Sequence, residues 1–160
     1  MNNVLLETLL GERINEVVTL GEAFEIYHSM DLIATWELAE RAISKKADVA
    51  QCPKNTPGID LVSGVQIKYA QTNRVTQSKK GSLYGYISVR DHTETILAVV
   101  TETVTGKQYF FRFPHSSYRH VNGNTFAVPF DIDGNPRRKS DWWYYEVDSF
   151  DKLCEMAKNA

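Results

Sequence analysis

Residues 57–72 read PGIDLVSGVQIKYAQT: a Pro-Gly lead-in, then two short β-rich runs, IDLVS and VQIKYA, separated by Gly64. Such a run–turn–run pattern predicts an antiparallel hairpin. In a strand alternate side chains share a face, so Gln66 and Lys68 point one way while Val65, Ile67 and Tyr69 point the other. The hairpin brings the strand bearing Asp60 alongside. A carboxylate, an amide oxygen and an amine are therefore expected together at the end of an otherwise apolar sheet.

These three groups suit phosphodiester hydrolysis, which needs a hard cation to neutralise the phosphate and a water aimed in line with the leaving oxygen. Magnesium prefers oxygen donors and keeps several waters. Asp60, the side-chain carbonyl of Gln66, the backbone carbonyl of Ile67 and a phosphate oxygen form a reasonable shell for Mg²⁺ or Mn²⁺. Lys68 is placed to orient or deprotonate the attacking water, because a lysine pKa moves readily in a pocket.

Charge is distributed unevenly around this stretch. The net charge is −2 over 160 residues. Residues 1–48 hold nine acids and four bases, residues 49–90 one acid and six bases, and residues 91–160 ten acids and eight bases. The single acid of the middle segment is Asp60, among Lys54, Lys68, Arg74, Lys79, Lys80 and Arg90. That is the pattern of a metal-binding carboxylate set in a phosphate-facing surface. Arg74, Lys79 and Lys80 are expected to contact DNA phosphates, and Arg137, Arg138 and Lys139 in NPRRKSDWW form a second basic candidate.

Working outward, Val4, Leu5, Leu9, Leu10, Ile14, Val17 and Val18 recur at helical spacing. A second helix is predicted over residues 31–46, capped by Asp31, with Leu32, Trp36, Ala39 and Ile43 on one stripe. CPKNTPG, residues 52–58, is a loop, and the polar residues 71–82 form a loop or short helix. Beyond them LYGYISV, ETILAVVTETV, KQYFFRF and TFAVPFDI alternate with Gly- and Asn-rich turns and read as sheet. WWYYEV reads as a last strand, with one of Trp142 and Trp143 in the core. SFDKLCEMAK closes the chain as an amphipathic helix started by Ser149.

With 42% apolar and 24% charged residues the chain has the composition of one folded domain, residues 1–160. Residues 1–48 are its helical, acidic part, residues 57–148 its sheet with the active-site hairpin, and residues 149–160 its closing helix. No apolar run approaches the length of a membrane span, and residues 1–10 lack a secretory signal, so a cytoplasmic protein is expected. Cys52 and Cys154 read as reduced thiols. His115 and His120 in HSSYRH read as ordinary polar side chains, and His28 and His92 as solitary ones. No Gly-rich phosphate loop, dinucleotide fingerprint or nucleophile elbow is present.

On Pro57, Asp60, Gln66 and Lys68, their strand–turn–strand setting and the acidic helix before them, the chain resembles the PD-(D/E)XK nuclease superfamily over roughly residues 31–72. The resemblance implies an α/β fold, a restriction-endonuclease-like core with a mixed central sheet flanked by helices. It implies a magnesium-dependent endodeoxyribonuclease with a restriction, homing or junction-resolving role on double-stranded or branched DNA. Asp60 and Gln66 would hold the metal and Lys68 would assist the water. Gln66 stands where Glu or Asp is usual, as in the family's Q-x-K branch, which removes one negative charge. Family members often recruit a helix Glu, making Glu37 and Glu40 candidates; at about 100° per residue from Leu32, Glu40 falls on the buried side and Glu37 at its edge. Glu40 is therefore expected to complete the catalytic and metal set. Cutting both strands with so small a subunit implies a homodimer or higher homo-oligomer. Two rival readings are a catalytically inactive nucleic-acid-binding domain of the same fold and a protein-interaction or regulatory subunit docking through its aromatic strands.

Overall fold

A computed structural model describes residues 4–10, 35–53, 56–74 and 81–160. In chain order the elements are helices α1 (Val4–Leu10) and α2 (Thr35–Ala47), then strands β1 (Val65–Gln71), β2 (Asn73–Arg74), β3 (Leu83–Ser88), β4 (Thr95–Thr101) and β5 (Gln108–Phe113). A one-turn helix α3 (His115–Tyr118), strand β6 (Thr125–Phe130), a 3₁₀ turn (Asp141–Tyr145), strand β7 (Glu146–Val147) and helix α4 (Phe150–Lys158) follow. The chain is thus mixed α/β. Its main sheet has four strands in the order β1-β4-β5-β7, and a second sheet has three in the order β2-β3-β6.

The main sheet is covered on both faces, which is why β4 reads as an unbroken apolar run with Ile96, Leu97, Ala98, Val99 and Val100 all at 0% exposure. Leu97 and Val99 join Val65 and Ile67 of β1 in a core built with Leu38, Ala42 and Ile43 of α2 and Leu153 and Ala157 of α4. Ile96, Ala98 and Val100 face the other way, against Ile87, Val128 and Phe130 of the second sheet and Trp143. Gly85 of β3 lies so close to this face that a methyl group there would meet the Val100 side chain at 2.7 Å.

One pairing positions the candidate site. β1 runs parallel to β4, with Val65 opposite Thr95 and Gln71 opposite Thr101. The chain segments that enter these two strands therefore arrive at the same end of the sheet, although about thirty residues separate them in sequence.

Three local readings change. The predicted hairpin is not a paired ladder: residues 59–64 form a tight turn folded against the start of β1, with Asp60 N–H and Leu61 N–H both donating to the Val65 carbonyl. Its only bridge among the described residues is from Leu61 back to Gln51. WWYYEV is a 3₁₀ turn plus a two-residue strand, because the Ser140 hydroxyl caps the turn by accepting the Trp142 N–H. Trp143 is the buried indole, while Trp142 stacks on Phe126 at 3.8 Å between ring centres. HSSYRH contains the short helix α3 rather than only loop. The closing helix stands as read, its Ser149 hydroxyl accepting the Lys152 N–H. Cys52 and Cys154 are both free thiols. Asp31, Leu32, Ile14, Val17, Val18, Lys54, Lys79 and Lys80 lie outside the described residues. No helix among the described residues is long and apolar enough to cross a membrane.

Candidate active site

The turn before β1 delivers Asp60 to the free edge of the main sheet. Its backbone is tied on both sides, the N–H donating to Val65 and the carbonyl accepting the Cys52 N–H at 2.8 Å. Its carboxylate Oδ2 accepts the Ile67 N–H at 2.7 Å. In a β-strand the N–H and C=O of one residue point to the same side. The Ile67 carbonyl is therefore also presented at this outer edge, beside Asp60 and away from β4.

Gln66 and Lys68 flank Ile67 and share the opposite face of β1 from Val65 and Ile67. Gln66 is 9% exposed and Lys68 is half-buried. Glu40 reaches the same place from α2, whose Leu38, Ala39, Ala42 and Ile43 are anchored in the core and so fix the helix against β1. Glu37, one turn earlier, pairs with Arg41 at 3.7 Å. A cavity of about 580 Å³ is lined by Glu37, Glu40, Gln51, Asp60, Gln66 and His92, among others.

His92 and Glu94 come from the turn that enters β4, brought here by the parallel pairing. His92 Nδ1 lies 3.7 Å from Glu94 Oε2. The Thr93 N–H donates to the same oxygen at 3.1 Å, and the Tyr118 hydroxyl donates to the Glu94 backbone carbonyl. Gly58 permits this packing, since a methyl group there would sit 2.3 Å from Glu94 Oε1. In the sequence His92 stands as a solitary histidine, and Glu94 falls within a strand-like run. The signal for both was weak: an Asp-His-Thr-Glu turn between two apolar strands becomes informative only once β4 is known to lie parallel to β1.

The charges in this pocket act on one another. Burial, then the neighbouring Asp60 and Glu37 carboxylates, pushes Glu40 up to about 7, against a hydrogen bond from Gln51 and the charge of Lys68. Burial raises Asp60 despite the Ile67 N–H and Lys68. Burial lowers Lys68 despite Asp60, Glu40 and Glu94, and burial with the Lys68 charge lowers His92. Two carboxyl groups held above their ordinary range, with an amine held below its own acting on both, is an arrangement concentrated at functional sites.

Comparison with protein-family models, curated proteins and solved structures finds no match in any of the three.

The predicted DNA contacts lie elsewhere. The backbone of Arg74 pairs with Leu83, Leu83 pairs with Phe130, and Phe130 bridges to Pro136. Arg137 and Arg138 are thus at the far end of the sheets from Asp60, about 20 Å away along seven strand residues. Arg137 Nε donates to the Phe130 carbonyl at 3.2 Å. Arg138 pairs with Glu146 at 2.7 Å and lies over the Trp143 ring at 5.0 Å. Lys139 is exposed beside them.

The donor set accommodates a divalent cation only in part through charged ligands. Among the described residues no three His, Cys, Asp or Glu side chains are grouped to hold a metal by themselves. Two carboxylates, Asp60 and Glu40, with the Gln66 amide oxygen and the Ile67 carbonyl would complete an all-oxygen shell of the kind magnesium prefers. Asp60 Oδ1 takes no part in the Ile67 bond and is available for it. A cation would also offset the burial that raises both carboxyl groups and the repulsion that Asp60 exerts on Glu40.

Proposed function

We propose that this chain is a magnesium-dependent endodeoxyribonuclease with a restriction-endonuclease-like core, acting on double-stranded or branched DNA. The observation that carries the reading is the convergence of Glu40, Asp60 and Gln66 on one cavity at the free edge of β1, with the Lys68 charge close enough to act on both carboxyl groups. These side chains come from α2, the following turn and β1, and the Lys68 charge opposes the burial that raises Glu40 and Asp60.

In this reading Asp60, Glu40, Gln66 and the Ile67 carbonyl hold the cation. The bound ion supplies neutralisation of phosphate charge and a more acidic water. Lys68, depressed by burial, accepts a proton from the attacking water or holds it in line by hydrogen bonding. The Ile67 N–H fixes the Asp60 carboxylate so that one oxygen faces the cavity. His92, steadied by Glu94, closes the side of the cavity nearest β4 and adds a polar group facing the phosphate. A homodimer would cut both strands of a duplex, with the far-end bases Arg74, Arg137 and Arg138, together with Lys79, Lys80 and Lys139, holding flanking DNA.

Incubating wild type and Lys68→Ala with supercoiled plasmid and with branched DNA, in Mg²⁺ or Mn²⁺, tests this directly. The wild type nicks only with the cation, and the variant is slower by about 10²–10⁴-fold. Equal cleavage by both proteins would remove Lys68 from the chemistry and the reading with it.

A further inference from the structure

The second sheet packs one face on the core and leaves the other uncovered. Along β3 burial alternates: Leu83, Gly85 and Ile87 are buried towards the main sheet, while Tyr84, Tyr86 and Ser88 face outward. Beside them β6 sets Pro129 opposite Tyr84, Ala127 opposite Tyr86 and Thr125 opposite Ser88. Small side chains therefore border the two phenols. Their rings lie 6.0 Å apart, tilted by 40°. Tyr86 is 44% exposed, and neither tyrosine belongs to either hydrophobic core. Core packing among the described residues thus does not account for two aromatic rings side by side on this face.

The charge around this face selects a partner. Residues 71–90 and 119–130, which contain the whole second sheet, hold Arg74, Lys79, Lys80, Arg90 and Arg119 and no acid. The acids that bound these segments lie in turns: Asp91 follows Arg90, and the Asp131 carboxylate accepts the N–H groups of Asp133 and Asn135. β3 also leads to the candidate active site. It runs from the Leu83–Arg74 pair at the far end back to Ser88, and the His92 N–H donates to the Val89 carbonyl at 3.1 Å. Arg90 is exposed in that turn, and Arg119 is exposed next to Tyr118, whose hydroxyl donates to the Glu94 carbonyl. Four extended residues, about 13 Å, separate Tyr86 from Arg90. Flat aromatic surface flanked by cations matches a nucleic-acid strand with unpaired bases, because the bases of a duplex keep their faces stacked inside the helix. An acidic peptide would meet the charge but offer the rings no flat face.

We propose that the outer face of β3 and β6 is a stacking platform for an unpaired nucleic-acid strand, with bases on Tyr84 and Tyr86 and the backbone passing Arg90 and Arg119. The inference deepens the nuclease reading, on which the choice of DNA rests: it selects branched or partly single-stranded DNA over continuous duplex as the substrate. The stacking itself does not depend on cleavage. Holding an unpaired strand on β3 brings the adjoining backbone to the end of the sheets where His92 and Asp60 lie.

The test uses the full chain in a Lys68→Ala background, which prevents cleavage from obscuring binding. Affinity is measured across a salt series for a fluorescent single-stranded DNA oligonucleotide, for an abasic strand with the same number of phosphates, and for the duplex. Tyr86→Leu, which keeps apolar bulk but removes the aromatic face, weakens oligonucleotide binding about tenfold with an unchanged salt slope. Tyr86→Phe keeps the affinity within about twofold, because the ring and not the hydroxyl stacks. Arg90→Gln instead reduces the salt slope by about one, as one lost phosphate contact requires. The abasic strand and the duplex bind with and without Tyr86→Leu alike. Oligonucleotide affinity unchanged by Tyr86→Leu would overturn the platform, as would equal affinity for the normal and abasic strands, or no binding of the oligonucleotide at all. Tyr86-dependent binding in a protein that never nicks DNA would uphold the platform and discard the nuclease reading. Lys68-dependent nicking, with oligonucleotide binding indifferent to Tyr86, would do the reverse.

Discussion

Ile67 and Asp60 are joined by a 2.7 Å hydrogen bond from the Ile67 N–H to the Asp60 carboxylate, across the free edge of β1. One side chain thereby caps an unpaired strand edge and fixes the carboxylate proposed to bind the cation. The two roles separate by substitution. Asp60→Asn keeps an oxygen to accept the N–H, so its urea midpoint stays close to wild type while cation-dependent nicking falls at least about 10²-fold. Asp60→Ala loses both, with about 1–3 kcal/mol less stability. Nicking by Asp60→Asn at the wild-type rate would confine Asp60 to the structural role.

Glu40 ties stability to pH in an unusual direction. Its pKa in the folded protein, about 7, exceeds the ordinary 4.5, so between these values the folded chain holds a proton that the unfolded chain releases. Stability without metal must therefore fall as pH rises across that window. Asp60, also raised by burial, acts in the same sense. Glu40→Gln removes the larger part of this decline and melts higher than wild type at pH 8. Addition of Mg²⁺ at pH 8 raises the wild-type melting temperature more than that of the variant. Thermal melts from pH 4.5 to 8 that run parallel for the two proteins would show that Glu40 is not the group responsible.

Gly58 and Gly64 offer a matched pair. Both hold positive φ, +80° and +97°, where an L side chain is strained by roughly 1–2 kcal/mol. A methyl group at Gly64 meets nothing within 4 Å, whereas at Gly58 it collides with Glu94 Oε1. Gly58→Ala and Gly64→Ala should thus lose comparable stability, yet only the first displaces the Glu94 carboxylate. Because Glu94 raises the pKa of His92, its displacement lowers that pKa further. Imidazole titration by NMR should find His92 shifted down in Gly58→Ala and unmoved in Gly64→Ala.

The strands, and the helix that follows Ser149, were legible because apolar periodicity and capping chemistry are local. Glu40, Asp60, Gln66 and Lys68 could be gathered from sequence because they lie on adjacent elements and their spacing sets which face each takes. The partner of β1 was not legible: periodicity identifies a strand but not its neighbour, and a parallel pairing across about thirty residues leaves no local trace. The unpredicted arrival of His92 and Glu94 follows from that one fact. WWYYEV was misread because aromatic β-propensity describes a half-buried pleated surface, and here the Ser140 cap and the Trp142–Phe126 stack supply a different one. The separation of Arg137 and Arg138 from Asp60 was equally invisible, since charge in a sequence segment does not say which end of a sheet it occupies.

Glu102 provides a carboxylate control at the opposite end of β4. It is completely buried, yet its oxygens accept the N–H groups of Val104 and Thr105 at 2.7 Å each and the Thr105 hydroxyl at 2.5 Å. Gly134 packs so closely that a methyl group there would lie 2.3 Å from Glu102 Oε2. The residue therefore builds the β4–β5 turn. Glu102→Ala strips the turn of three acceptor contacts and should cost about 2–3 kcal/mol by urea unfolding. The site at Asp60 is about 20 Å away along β4, so nicking per folded molecule should be unchanged below the denaturation range. A loss of activity in this variant as large as that of Asp60→Asn, with its fold intact, would mean that carboxylates act on catalysis at long range and that convergence at Asp60 is not what confers it.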